Sequence, residues 1–160
     1  MKQLKISCNI DVFETLDELP KDVQSLMNKA HNARSKAYAP YSKFLVGAAL
    51  ELSNGEIITG NNQENAAYPS GLCAERTAIF YAHAQFPEED ILRMAIAAGS
   101  EYKEAETPIP PCGACRQALV EYEQVQKKQI ELYFMGTKGQ IAYSNSVENI
   151  LPWIFDKKAL

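Results

Sequence analysis

An α/β sandwich is the fold class this sequence predicts, and three observations predict it. Stretches with strand-like apolar pattern alternate along the chain with stretches of helical period. Asn54-Gly55 stands between two strand-like stretches, where it signals a tight hairpin turn. Two cysteine-bearing stretches, Gly71-Leu72-Cys73-Ala74-Glu75-Arg76 and Pro110-Pro111-Cys112-Gly113-Ala114-Cys115-Arg116, each fall at the start of a predicted helix.

Taken in order, residues 4–13 set Leu4, Ile6, Cys8, Ile10 and Val12 against Lys5, Ser7, Asn9 and Asp11, the pattern of a half-buried edge strand. Cys8 reads there as a small core residue. After Pro20 the positions Val23, Leu26, Met27, Ala30, Ala33 and Ala37 recur at helical steps until Tyr38-Ala39-Pro40, where the proline disfavours helix in the residue before it. Phe44 to Leu52 is an apolar run with Gly47, Ala48 and Ala49 at its centre, small residues where another element approaches closely; Ile57 to Thr59 completes the hairpin. Tyr68-Pro69-Ser70-Gly71 leads into a helix from about Leu72 to Gln85, with Cys73 expected in its first turn. Ile91 to Ala98 predicts a buried strand, and three prolines keep the following loop extended. A third helix is expected from about Cys112 to Gln126, with Ala118, Leu119 and Tyr122 on its apolar side, then strands over Ile130–Met135 and Gln140–Tyr143 around Lys138-Gly139. The tail Ile150-Leu151-Pro152-Trp153-Ile154-Phe155 is too apolar for a solvated end, so it is expected to pack on the domain or on a neighbouring subunit.

The 160 residues suit one domain, residues 1–160, large enough to fold without disulfides. With 16 Lys and Arg against 20 Asp and Glu, and no block of like charge, the chain offers no electrostatic surface for nucleic acid or membrane. Met1 to Cys8 starts basic but lacks the apolar core of a signal peptide, and no apolar run is of transmembrane length. The expected compartment is the cytoplasm, where clustered cysteines are metal ligands or redox groups rather than staples.

Cys112 and Cys115 stand at a spacing that lets one helical turn offer both sulfurs to a single ion, with Cys73 joining from the other helix. Three protein ligands leave a zinc ion's fourth position open for water, which separates a catalytic from a structural site. Glu75, two residues beyond Cys73, then leans over the metal as a general base. Three thiolates leave such a site with net negative charge, so Arg76 or Arg116 is expected to donate to a sulfur from outside the ligand set. Two rival readings use the same residues. A Cys-x-x-Cys at a helix start also suits a thioredoxin-like redox enzyme, which leaves Cys73 and Glu75 unexplained, and a purely structural zinc knot would need Cys8 as its fourth ligand. His31 and His83 read as ordinary surface or packing residues.

Cys73-Ala74-Glu75 with Pro111-Cys112-Gly113-Ala114-Cys115 resembles the cytidine deaminase family. The resemblance extends over Tyr41-Ser42-Lys43-Phe44-Leu45-Val46-Gly47-Ala48-Ala49, through Asn62-Gln63-Glu64-Asn65-Ala66-Ala67-Tyr68-Pro69, to Leu151-Pro152. It implies a three-layer α/β/α sandwich around a mixed sheet of about five strands; residues 1–19, with their strand, would be an N-terminal extension. It further implies Zn2+ on Cys73, Cys112 and Cys115, with Glu75 carrying protons from water to ring N3 and to the leaving ammonia. Phe44 would stack on the pyrimidine. Asn62 and Glu64 would bind the ribose, with Ala74 and Tyr68 as further substrate contacts, and the Glu64 carboxylate would disfavour phosphorylated substrates. Phe155 resembles a C-terminal aromatic that reaches a neighbouring subunit's site in a homotetramer. The implied reaction is deamination of cytidine and deoxycytidine in pyrimidine salvage. Leu45 and Asp156 depart from the family pattern, where proline and glycine are frequent.

Overall fold

The computed structural model describes residues 1–157. Six strands form one mixed sheet: β1 Asp11–Phe13, β2 Phe44–Leu52, β3 Ile57–Asn61, β4 Ile91–Ser100, β5 Glu131–Met135 and β6 Ile141–Ser144, in the order β1-β6-β5-β4-β2-β3. Only β4 and β5 pair in parallel, because the helix between them carries the chain back over one face; every other neighbouring pair is antiparallel. Helix α1, Lys21–Arg34, covers one face, and α2, Ala74–Gln85, with α3, Gly113–Gln126, covers the other.

The period-two pattern of the central strands explains the three layers. In β2 and β4, Ala49, Ala95 and Ala97 turn toward Val23, Leu26, Met27 and Ala30 of α1. Their neighbours Leu50, Met94 and Ile96 turn the other way, toward Ile79 of α2 and Leu119 of α3. Small residues set the spacing. A Cβ on Gly47 would lie 2.1 Å from the Ala30 carbonyl oxygen, and one on Gly60 would lie 2.6 Å from that of Ala74. Those close approaches press α1 and α2 onto the hairpin, and Gly55 at φ +84 takes the left-handed conformation its turn requires.

Four expectations are corrected. The N-terminal strand covers Asp11–Phe13 rather than residues 4–13, because its partner β6 is only four residues long and the ladder ends at Asp11↔Tyr143. Residues before it run past the end of β6, so Leu4 and Ile6 are exposed, and Cys8 is exposed instead of lying in the core. The first helix stops at Arg34, leaving Ala37 outside, because the Tyr38 N–H donates to the Asn62 carbonyl and draws the chain into a bridge beside Gln63. Cys73 and Cys112 are the N-caps of α2 and α3 rather than members of their first turns.

The tail divides between the two expected fates. Ile150 is buried, and Leu151 and Ile154 pack against the core, while Trp153 and Phe155 are exposed. His31 touches the Thr137 carbonyl at the surface, and His83 packs edge-on against Tyr122. No helix among the described residues is long and apolar enough to cross a membrane.

Candidate active site

Both helices that carry the cysteines begin the same way. Cys73 caps α2 with φ −73 and ψ 155, and Cys112 caps α3 with φ −66 and ψ 165, so each sulfur sits at the positive end of a helix dipole, where a thiolate is favoured. Cys115, in the first turn of α3, is fully buried behind them. The three sulfurs lie within 4.8 Å of one another, with Cys73 and Cys112 3.9 Å apart. Tetrahedral zinc with Zn–S bonds of about 2.3 Å places its sulfurs about 3.8 Å apart, so the donor set fits that ion. Cys8 is not in the group, and the four-cysteine structural knot is therefore not formed.

Three sulfurs this close cannot all ionise without a cation among them. The Cys73 thiol is pulled down to about 5, foremost by a hydrogen bond from Cys115 and then by Arg76 and Cys112; the same bond, with burial, pushes Cys115 up. Arg76 donates from Nη2 to the Cys73 sulfur at 3.7 Å. Glu75, 4 % exposed, has its carboxyl raised by burial and further by the charge on Cys73. Among the described residues, the buried side-chain atoms without a hydrogen-bond partner are Glu75 Oε2 and Arg76 Nε, both beside the sulfurs. A buried carboxylate oxygen with free lone pairs next to three thiols is what proton transfer to and from a metal-activated water needs.

Above this floor opens a cavity of about 710 Å³, at the C-terminal ends of β3 and β4 and the start of β2. Its size is in the usual range for small-molecule sites. Phe44 and Val46 of β2, with Ile96 and Ala98 of the paired β4, form an apolar wall, and Asn62 and Glu64 supply polar groups. The Asn62 amide spans the start of β2: Oδ1 accepts from the Val46 N–H at 2.8 Å, and Nδ2 donates to the Phe44 carbonyl at 2.9 Å. Glu64 accepts from the Tyr41 N–H at 2.9 Å, from the Ser42 N–H and from the Ser42 hydroxyl. These bonds, the Ser42 hydroxyl first, hold its carboxyl below the usual carboxylate range. Tyr68 stands on the short 3-10 turn Tyr68–Ser70 at the cavity's rim, 79 % exposed.

Other sequence-predicted residues lie apart from the cavity. Ala74 is fully buried under Gly60 and does not line it. Phe155 is 62 % exposed on the tail and also lies outside it. Of the two arginines expected near sulfur, Arg76 reaches one. Arg116 instead donates from Nε to the Pro111 carbonyl and from Nη1 to the Ile150 carbonyl, both at 2.8 Å.

Supporting residues emerge that the sequence pattern did not single out. Arg34 donates to the Leu45 and Gly99 carbonyls, fixing the strand ends beside Phe44. Glu123, 5 % exposed, accepts from the Ile130, Val147 and Glu148 N–H groups. Glu123 had a readable signal: it continues the buried row Cys115-Leu119 at a further four-residue step, which puts a charged residue on an apolar helix face. Arg34 had none, since its partners are carbonyls distant in sequence.

Residues 20–131 match the family described as the cytidine and deoxycytidylate deaminase zinc-binding region. The chain is 40 % identical over 134 residues to the cytidine deaminase of Halalkalibacterium halodurans, which covers 84 % of this chain and 94 % of that protein. Over 139 residues it is also 40 % identical to the cytidine deaminase of Sporosarcina psychrophila, covering 87 % and 95 %. The crystal structure of cytidine deaminase from Burkholderia pseudomallei superposes with a TM-score of 0.72 at 37 % identity, over 86 % of this chain and all of that one. The three-layer sheet, the paired cysteine-capped helices and these likenesses agree, and the chain belongs to the cytidine and deoxycytidylate deaminase zinc-binding family.

Proposed function

We propose that the protein is a zinc-dependent cytidine deaminase, converting cytidine and deoxycytidine to uridine and deoxyuridine with release of ammonia, as in pyrimidine salvage. The observation that carries this reading is the buried Glu75 carboxylate, with Oε2 unengaged, beside three sulfurs within 4.8 Å of one another at the floor of a cavity roomy enough for a nucleoside. Cys73, Cys112 and Cys115 would hold the zinc, which supplies Lewis acidity to make water nucleophilic near neutral pH. In the reaction the water oxygen bonds to C4 of the pyrimidine as the C4=N3 double bond opens, while Glu75 takes one water proton and delivers it to ring N3. Glu75 then carries the remaining proton of that oxygen to the 4-amino group; the exocyclic C4–N bond breaks as the C4 carbonyl forms, and ammonia leaves. Burial supports this double duty, because a raised carboxyl pKa lets one group both accept and release a proton.

Phe44 stacks on the base, its carbonyl held by the Asn62 amide and its N–H by the Ser42 hydroxyl. Asn62 and Glu64 take the sugar hydroxyls, Tyr68 closes the rim, and Ala74 lies behind the base. Arg76 offsets thiolate charge through its bond to Cys73, and Arg116 acts from outside the ligand set. Its exposure and its place outside this chain's own cavity support Phe155 as a residue given to a neighbouring site in a homotetramer. Free cysteines support a reducing, cytoplasmic setting, and the start of the family match at residue 20 supports one domain with residues 1–19 as an extension. The test is ammonia release from cytidine, deoxycytidine, cytosine and cytidine monophosphate on one zinc-assayed preparation. Activity on both nucleosides, and little on the monophosphate, is the expected result; nucleosides left unchanged by zinc-loaded protein would overturn the reading.

A further inference from the structure

We infer that Arg116 is a positioning residue that couples the ligand loop at Cys112 to the C-terminal tail, so that metal binding and tail order are linked through one guanidinium. The inference rests on the zinc site proposed above. Arg116 is the fourth residue of α3, whose first turn holds no acidic residue, and a cation there opposes the helix dipole. Such a placement calls for compensation, and its two bonds supply it. One donor binds the carbonyl of Pro111, the residue joined directly to Cys112; the other binds the carbonyl of Ile150, which ends the 3-10 turn Glu148–Ile150. Both are charge-assisted bonds made by one rigid planar group, so a shift of either carbonyl is felt at the other.

The tail is held in a specific path rather than merely resting on the surface. Glu123 fixes the start of the 3-10 turn through the Val147 and Glu148 N–H groups, and Gln117 donates to the Phe155 carbonyl at 3.0 Å. Between the Arg116 and Gln117 anchors stands Trp153 at φ 63, a left-handed conformation that a bulky residue keeps only when its surroundings fix it. All three anchoring side chains come from α3, but only Arg116 also touches the ligand loop. By reciprocity, zinc on Cys112 should order the tail, and an ordered tail should tighten zinc.

Trp153 is the chain's one tryptophan, so its fluorescence anisotropy and acrylamide quenching report the tail directly. In the unmodified protein, chelating the zinc should lower Trp153 anisotropy and raise its quenching, with the circular dichroism of the fold retained. Arg116→Gln should weaken zinc about ten- to a hundredfold in competition with a chromogenic chelator, as loss of a group supporting a ligand typically does. It should also leave Trp153 in the chelated condition whether or not zinc is present. Arg116→Lys, which keeps the charge but loses the fork, should fall between, and it stands in if Arg116→Gln does not fold. Gln117→Ala should loosen Trp153 and, by the same reciprocity, weaken zinc by clearly less than Arg116→Gln does, since the Arg116 link to the ligand loop is kept. Wild-type zinc affinity in Arg116→Gln with the Trp153 response intact would overturn the coupling; so would a Trp153 signal indifferent to zinc in the unmodified protein, or a zinc loss in Gln117→Ala equal to that in Arg116→Gln. A protein that binds no zinc would overturn the functional reading as well, which the metal assay distinguishes.

Discussion

The starts of α2 and α3 look alike and do different work. Each opens on an N-cap cysteine in extended conformation, and each has an arginine in the following turn, but Arg76 stands three residues after its cysteine and Arg116 four. At three residues the guanidinium turns back to the Cys73 sulfur; at four it turns away, to the backbone on either side of the tail and the ligand loop. The residue after the cap differs as much. Ala74 and Glu75 are buried, so the α2 start delivers a carboxylate to the cavity floor, whereas Gly113 and Ala114 are exposed and the α3 start delivers only sulfur. One helix start therefore offers a carboxylate beside one sulfur, and the other offers two sulfurs and support. One residue's shift along a helix turns a side chain by about 100°, and that suffices to separate the roles.

The comparison can be broken at the point where both starts meet. Cys115→Ala removes a fully buried sulfur, and the expected outcome is loss of bound zinc together with all measurable ammonia release; activity that survived zinc loss would remove the metal from the reaction. Glu75→Gln should separate the two functions of the α2 start, leaving zinc stoichiometry intact while kcat falls at least about a hundredfold, the lower range for a general acid–base group. Glu123→Ala tests the supporting character of α3. Removing a carboxylate that satisfies three backbone N–H groups should cost about 3–5 kcal/mol in urea unfolding. Arg76→Gln should show the opposite profile, with near-normal unfolding and turnover slowed about tenfold through the loss of its bond to Cys73. The smallest effect is expected at Glu64→Ala, where KM for cytidine should rise about tenfold and that for free cytosine stay nearly level, since only the nucleoside carries hydroxyls for a charged acceptor. Equal rises on both would shift Glu64 from sugar recognition to bracing the Tyr41–Ser42 turn.

What could be read in the sequence followed from local physics. The periodicities of α1 and β2, the Asn54-Gly55 turn and the Cys-x-x-Cys spacing depend on neighbours a few residues apart, and they predicted elements close to those found. Cys112 with Cys115 and Cys73 with Glu75 were legible for the same reason, since each pair stands within one helical turn, while the meeting of the two stretches depends on the fold. Misreadings arose where a distant partner decides. The alternation over residues 4–13 is strand-like by itself, but only Asp11–Phe13 find a neighbouring strand, because β6 is short. Cys8 is exposed for that reason, not because its own neighbourhood is polar.

The sequence by itself determined which residues could make strands, helix caps and metal ligands, since those preferences lie in each residue's chemistry and its near neighbours. Tertiary structure alone decided which of two arginines faces sulfur, that the Asn62 amide ties the Phe44 carbonyl to the Val46 N–H, and that Glu123 and Arg116 hold the tail. Those outcomes depend on where backbone carbonyls and N–H groups from remote segments come to lie. Every residue contributes the same backbone groups, so no side-chain pattern marks them in advance.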